Sequence, residues 1–389
     1  MTLRAAATHV VKRVDHAIGR MTSRVRVLID VRTPMNLAVL RPVWRRLAGD
    51  SRLALVFTAE DRPGVREALD GDGVCDRLVP REAAAWMRLD LAITADAWNH
   101  APLHRCRRRI NFFHGVAGKY DLDEPRKLQA AAFDRFDRLA FINADRMRRY
   151  IDAGVIRRDQ AALVGFPKID DLVNGVWPPA SVRESLGLAP SLRTILYAPT
   201  FSTANSLHLA GEAIIETLLA TGANVVVKLH DRSMVPTDKH TNGIDWPARL
   251  ARFEPNPRFA LARVSDSGPC LSAADVLVTD HSTVGFEFAL LDRPLVVFDA
   301  PDLKAAARID REKWRLLRSM SDVVTSPAQL SIAVNRAFAE PARLREERRL
   351  AHDLFAFAGT ATNRALDVVY ELLELTPLAV ETKVMVLCP

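Results

Sequence analysis

At 389 residues, the chain is long for one domain and comfortable for two, each with its own core. Hydrophobic residues at 49% and charged residues at 26% are ordinary globular values, which excludes disordered and fibrous classes. The net charge of +7, from 54 Lys+Arg against 47 Asp+Glu, favours anionic partners such as nucleotides, phosphopolymers or a lipid surface without choosing among them.

The first elements fall between residues 1 and 26, where Arg4, Lys12, Arg13, Arg20, Arg24 and Arg26 face the single acid Asp15, with Leu3, Val10, Val11, Val14, Ile18 and Met21 between them. This is the pattern of a basic amphipathic helix lying on an anionic membrane, and equally of a solvated helix capping the first domain. No apolar run reaches the about 18 residues of a membrane-spanning helix, and the N-terminus lacks a signal-peptide core. Cys75, Cys106, Cys270 and Cys388 are widely spaced, so neither a zinc site nor a disulfide framework is indicated. The expected location is the cytoplasm.

Apolar strand-like runs then recur at residues 25–29, 53–57, 89–93, 110–113, 139–142 and 162–164, with helix-length segments between them. That rhythm predicts βαβ units and a parallel sheet. The proline-rich stretch Val176-Trp177-Pro178-Pro179-Ala180-Ser181 reads as an interdomain linker. The rhythm restarts at 194–198, 224–229, 259–264, 276–278, 295–298 and 323–324. The predicted fold is α/β, with two Rossmann-like domains whose parallel sheets face a cleft, the GT-B arrangement. The expected division is an acceptor domain over 1–178, a nucleotide-donor domain over 179–375, and a tail over 376–389. The charged segment 341–350 reads as an exposed helix.

The chemistry-bearing candidates lie where strands end, which is where α/β folds place ligands. His114, in Phe113-His114-Gly115, is a candidate general base for an acceptor hydroxyl, and Gly115 lets a substrate approach the backbone. A histidine that merely caps the turn would look the same. Arg105, Arg107, Arg108 and Arg109 precede that strand and suit either an anionic acceptor or a basic solvent-exposed edge. In the second half, alternation puts Lys228 and His230 on one face. They can hold a diphosphate if that face borders the cleft, and are a surface charge and a turn residue otherwise. Thr200 and Ser202 could reach a phosphate or ribose, or cap the next helix. The run Val276-Leu277-Val278-Thr279-Asp280-His281-Ser282-Thr283 reads as strand, turn and helix start. A helix N-terminus at a parallel strand's carboxyl end offers N–H groups and hydroxyls to a phosphate.

Five ordered segments together resemble the CDP-glycerol glycerophosphotransferase family of teichoic-acid and capsule enzymes. Phe113-His114-Gly115 with Lys119 is similar to the family's Trp-His-Gly-Thr-x-x-Lys, and Gly165-Phe166-Pro167-Lys168-Ile169-Asp170 to its Gly-Tyr/Phe-Pro-Arg/Lys-x-Asp. Leu196-Tyr197-Ala198-Pro199-Thr200, Lys228-Leu229-His230 and Thr279-Asp280-His281-Ser282-Thr283, followed by Arg293-Pro294, complete the match. Asp231 stands where the family has proline, His281 where it has tyrosine, and Gly359-Thr360 where a late Asp-Gly lies.

The resemblance implies attack by an acceptor hydroxyl on the β-phosphorus of a CDP-linked polyol, with release of CMP. His114 and His230 would be catalytic. Lys228, Thr200, Ser202, Asp280, Ser282 and Thr283 would hold the donor, and Gly115, Lys119 and Arg109 the acceptor. No cofactor is expected, and no Asp-x-Asp pair stands at a strand end, so a metal-independent reaction is expected. The expected partners are a CDP-linked donor, a lipid-linked or polymeric acceptor and the anionic inner face of the membrane, with no nucleic acid among them. The short N-terminal part favours a primase-like or single-addition enzyme. A GT-B glycosyltransferase or UDP-sugar 2-epimerase would use a similar phosphate cradle, and a non-catalytic anion-binding protein of polymer export is the alternative of another class.

Overall fold

A computed structural model describes residues 24–61, 64–98, 101–116 and 127–378. Most of the basic segment 1–26, Lys119, Cys388 and the end of the expected tail lie outside the described residues. Twelve strands form two six-stranded parallel sheets. The first holds β1 (Val25–Val31), β2 (Leu53–Ala59), β3 (Leu89–Thr94), β4 (Cys106–Phe112), β5 (Arg138–Phe141) and β6 (Ala161–Leu163), in the order β2-β1-β3-β4-β5-β6. The second holds β7 (Thr194–Tyr197), β8 (Asn224–Val227), β9 (Phe259–Leu261), β10 (Val276–Thr279), β11 (Leu295–Phe298) and β12 (Asp322–Val324), in the order β12-β11-β10-β7-β8-β9.

The central strands are continuous aliphatic runs because helices cover both faces of a parallel sheet. Ile195, Leu196, Val225 to Val227 and Val276 to Val278 are fully buried. One strand departs from that pattern. β4 starts at Cys106, ahead of the apolar run at Ile110, because its first half pairs with β3 alone. β5 joins only at Ile110↔Arg138, so the early arginines keep one open flank in water.

Strand order reverses between β1 and β3 in the first sheet and between β7 and β10 in the second. At such switch points the adjoining helices leave on opposite sides, and a crevice opens above the strands' carboxyl ends.

The domains meet along a seam built largely from the Gly165–Asp170 segment. Gly165 has φ of 88°, and a Cβ there would lie 2.0 Å from the Ala356 carbonyl oxygen, so only glycine fits. Lys168 Nζ pairs with Glu287 at 2.7 Å and donates to Ser267 Oγ at 3.0 Å, all of it buried. Burial opposes the Lys168 charge, but the Glu287 and Asp266 carboxylates outweigh it and raise its pKa. Asp170 accepts from the N–H groups of Ala361 and Thr362 at 3.2 and 2.6 Å, capping the helix Ala361–Leu373. That helix packs back on the first domain, against the helix Pro34–Ala48 and strands β3 and β4. Arg41 reaches across to Asp266 at 3.1 Å, and the Trp177 ring sits where a Cβ on Gly268 would be 2.5 Å away. One apolar core runs through the seam, joining Val27 and Phe112 to Leu196, Val226 and Phe286.

Candidate active site

The second domain's switch point is organised by Asp280. Its Oδ1 accepts from the N–H groups of Thr200 at 2.9 Å and His281 at 2.7 Å. Its Oδ2 accepts from the Ser206 N–H at 3.1 Å and hydroxyl at 2.9 Å. This buried carboxylate fastens the loop after β7 and the start of the helix Ser206–Ala220 to the end of β10. Four donors occupy it, which makes it a scaffold for the crevice. Thr279 Oγ1 donates to the Ala198 carbonyl at 2.7 Å, Tyr197 Oη pairs with Ser206 Oγ at 2.9 Å, and the Asn205 amide donates to the Thr200 carbonyl. Burial pushes the Tyr197 phenol well above its ordinary value, so it stays protonated.

Ser282 and Thr283 stand just beyond this scaffold, half-buried. Ser282 occupies the N-cap of the helix Thr283–Ala289, yet its side chain makes no capping hydrogen bond. Among the described residues neither hydroxyl has a partner, so both remain available alongside the helix's first N–H groups. Ser202, also half-buried, accepts from the Ala204 N–H at 3.1 Å, and buried Thr200 contributes its backbone to the Asp280 hub.

At the end of β8, Lys228 and His230 part company. Lys228 is 8% exposed, and its Nζ donates to the Leu229 carbonyl at 2.7 Å with Asp231 at 3.8 Å. Burial, opposed chiefly by Asp231, lowers its pKa. His230 Nδ1 accepts from the Arg232 N–H at 3.1 Å, which leaves the neutral ring's proton on Nε2 as a donor. The His230 ring lies 4.4 Å from that of Phe201, and the Arg232 guanidinium covers Phe201 at 4.7 Å.

Across the cleft, His114 follows β4. Its side chain is solvent-exposed, yet protein atoms hem it in, and the resulting desolvation lowers its pKa. Both hold for a side chain in a cleft, open to water but flanked by two domains. Asp96 and the Ala95 backbone oppose the downward shift, and Arg146 and Arg232 add to it. Arg232 comes from the second domain, so His114 and the β8 turn share one electrostatic environment. Buried Arg146 donates to the Gly115 carbonyl at 2.9 Å and stacks over Phe113 at 4.6 Å, fixing the turn that carries His114. A Cβ on Gly115 would meet nothing nearer than Arg146 at 3.9 Å.

Arg109 is not brought to His114. Five residues separate them on an extended chain, roughly 16 Å, and the Arg109 guanidinium donates to the Leu103 carbonyl at 2.6 Å. Arg108 pairs with Asp137 and Arg107 with Glu374 at the opposite end of the sheet. Sequence reasoning also passed over Arg232, Arg146 and Asp96. Each is an isolated charge in the sequence, and only strand ends meeting in space bring them together. No cluster of three or more His, Cys, Asp or Glu side chains arranged for a metal occurs among the described residues, and no described helix is long and apolar enough to cross a membrane.

Comparison with solved structures gives a fold match along nearly the whole chain. The wall teichoic acid polymerase TagF superposes with a TM-score of 0.66 at 16% identity, covering 96% of both chains. A TagF variant soaked with CDPG gives 0.69 at 16% identity, covering 96% of this chain and 97% of that one. UDP-GlcNAc 2-epimerase from Neisseria meningitidis, bound to UDP-GlcNAc, gives 0.56 at 12% identity, covering 90% of this chain and 100% of the other. These likenesses establish the two-domain α/β fold of GT-B type. A search of curated proteins found no match. The sequence profile of the CDP-glycerol:poly(glycerophosphate) glycerophosphotransferases matches residues 110–369, a span holding both sides of the cleft. The chain therefore belongs to the CDP-glycerol:poly(glycerophosphate) glycerophosphotransferase family and is an enzyme of that class.

Proposed function

We propose that the cleft joins an acceptor hydroxyl to the β-phosphorus of CDP-glycerol, with His114 as general base. The acceptor oxygen forms a bond to the β-phosphorus, the bridging oxygen–β-phosphorus bond breaks, and CMP leaves while His114 takes the hydroxyl proton. The protein's contribution is in-line positioning and neutralisation of the charge that grows on the leaving phosphate. His230 Nε2–H, the hydroxyls of Ser282 and Thr283 and the N–H groups behind them hold the diphosphate. Asp280 shapes this cradle through Thr200 and Ser206, and Arg232 adds positive charge on the same side. Lys228, tied to Leu229 and Asp231, acts on the phosphates by charge at a distance. The observation that carries this reading is that the family profile spans residues 110–369, which hold both the His114 turn and the Asp280 turn with its available hydroxyls.

The acceptor is a polymeric or lipid-linked poly(glycerophosphate) end presented at the inner face of the membrane, where the basic residues between positions 1 and 26 attract anionic lipid. A donor panel tests the reaction. CMP released from CDP-glycerol in the presence of a glycerophosphate acceptor, with no UDP released from UDP-sugars, is the expected outcome; UDP release without CMP would replace this reading with glycosyl transfer. Flotation with anionic liposomes tests the location. The full chain should float at low salt and a chain lacking residues 1–22 should not, whereas equal behaviour of the two would remove the segment from membrane attachment.

A further inference from the structure

The donor side of the cleft leans on the loop after β7, and His208 lies just behind that loop, in the first turn of the helix Ser206–Ala220. Thr200 is held from both ends: its N–H donates to Asp280 Oδ1 at 2.9 Å, and its carbonyl accepts from the Asn205 amide nitrogen. Asn205 Oδ1 in turn accepts the His208 N–H and faces His208 Nδ1, both at 2.9 Å. An oxygen acceptor there requires the ring proton on Nδ1. Nε2 of the neutral ring then carries a lone pair, and the Trp246 indole N–H donates to it at 3.4 Å, with the two rings edge to face at 5.0 Å. Burial lowers the His208 pKa, the Thr241 carbonyl, 3.3 Å from Nε2, opposes the shift and Arg249 adds to it, so the ring is neutral at neutral pH.

The same loop carries Phe201, whose ring lies 4.4 Å from that of His230 and 6.0 Å from that of His240. A clamp on Thr200 therefore sets where the next residue's ring stands against His230. Resting on the reading of His230 as a donor-side group, we propose that His208 is a positioning residue for the donor. Its Nδ1–H orients the Asn205 amide, the amide closes the loop on Thr200, and Phe201 then packs His230 in the pose that meets the diphosphate. His208 acts through Asn205 and not by touching the donor.

The test is calorimetric CMP binding by the full chain, with KM for CDP-glycerol and the urea midpoint measured on the same variants. His208→Leu, which removes Nδ1–H, should weaken CMP binding and raise KM about threefold to tenfold, the range of one hydrogen bond. His208→Asn, whose amide nitrogen reaches the place of Nδ1, should recover most of that loss. Asn205→Ser still caps the helix but is too short to clamp the Thr200 carbonyl, so it should show a similar loss. Adding His208→Leu to it should weaken CMP no further, since both changes break one chain of contacts. Wild-type CMP affinity and KM in a folded His208→Leu chain, His208→Asn no better than His208→Leu, or losses that add in the double variant would overturn the proposal. A purely structural role would lower the urea midpoint and leave the folded chain's affinity unchanged. Should His208→Leu not fold, His208→Gln, whose amide lies near the place of Nε2 and leaves Asn205 without its donor, replaces it against His208→Asn. The reading beneath the proposal fails separately, if His230→Ala binds CMP and turns over as the wild type does.

Discussion

The turn after β10 and the turn after β4 both end parallel strands at the same cleft, but they are built in opposite ways. The first is a buried hydrogen-bond scaffold: Asp280 takes four protein donors, Thr279 and Asn205 close the adjoining carbonyls, and Ser282 and Thr283 are left over as available hydroxyls. The second carries an exposed, desolvated histidine whose charged form Asp96 favours and Arg146 and Arg232 oppose. A rigid scaffold with spare donors suits a ligand bound in one fixed pose. A side chain tuned by nearby charges suits a group that must change protonation during the reaction. The seam between them, centred on Lys168 and Glu287, holds the two devices in register.

That division yields variants with different signatures. The largest effect belongs to His114→Ala, which should lose about 10²- to 10⁴-fold in kcat while keeping CMP affinity within a few-fold by calorimetry, because a base acts in the transition state. Near-normal turnover would break the comparison at its acceptor side. Next is Lys168→Met, which strands the Glu287 carboxylate in the seam and should cost about 3–5 kcal/mol in urea denaturation. Lys168→Met combined with Glu287→Leu should recover most of that loss, since an apolar pair satisfies the same space. A double variant no more stable than the single one would show that the ion pair is not what the seam requires there.

A smaller effect is expected from Ser282→Ala with Thr283→Ala, which removes two hydroxyl donors to a charged phosphate and should weaken CMP binding about tenfold. Unchanged affinity would take this turn out of the donor site. The smallest concerns pH. A general base must be neutral, and burial lowers the His114 pKa from 6.5, so activity should persist at pH 6.5 and fall only as pH drops further. An acidic limb above 6.5 in kcat/KM would contradict the desolvated environment assigned to the ring.

The strand rhythm was legible because the central runs are aliphatic on both faces, and all twelve runs expected from it are strands. The start of β4 was hidden because Arg107 to Arg109 pair on one side only and keep a polar look. At the site, the sequence pointed to His114, His230, Ser282 and Thr283 through their places at strand ends. It could not separate Asp280 as scaffold from Ser282 as free hydroxyl, since that depends on Thr200 and Ser206 folding back 80 and 74 residues away. Lys168 and Asp170 read as part of a motif, but their work of joining the domains through Glu287 and the start of the last helix exists only in three dimensions. Arg109 misled because adjacency along a strand is distance along a sheet: its guanidinium turns to Leu103.

The most direct measurement is a ³¹P NMR time course of the full chain with CDP-glycerol and a glycerophosphate-terminated acceptor. The account predicts that the diphosphate signals decay into equal amounts of CMP and a new phosphodiester. An intact donor, or CMP with free glycerol phosphate and no diester, would contradict it.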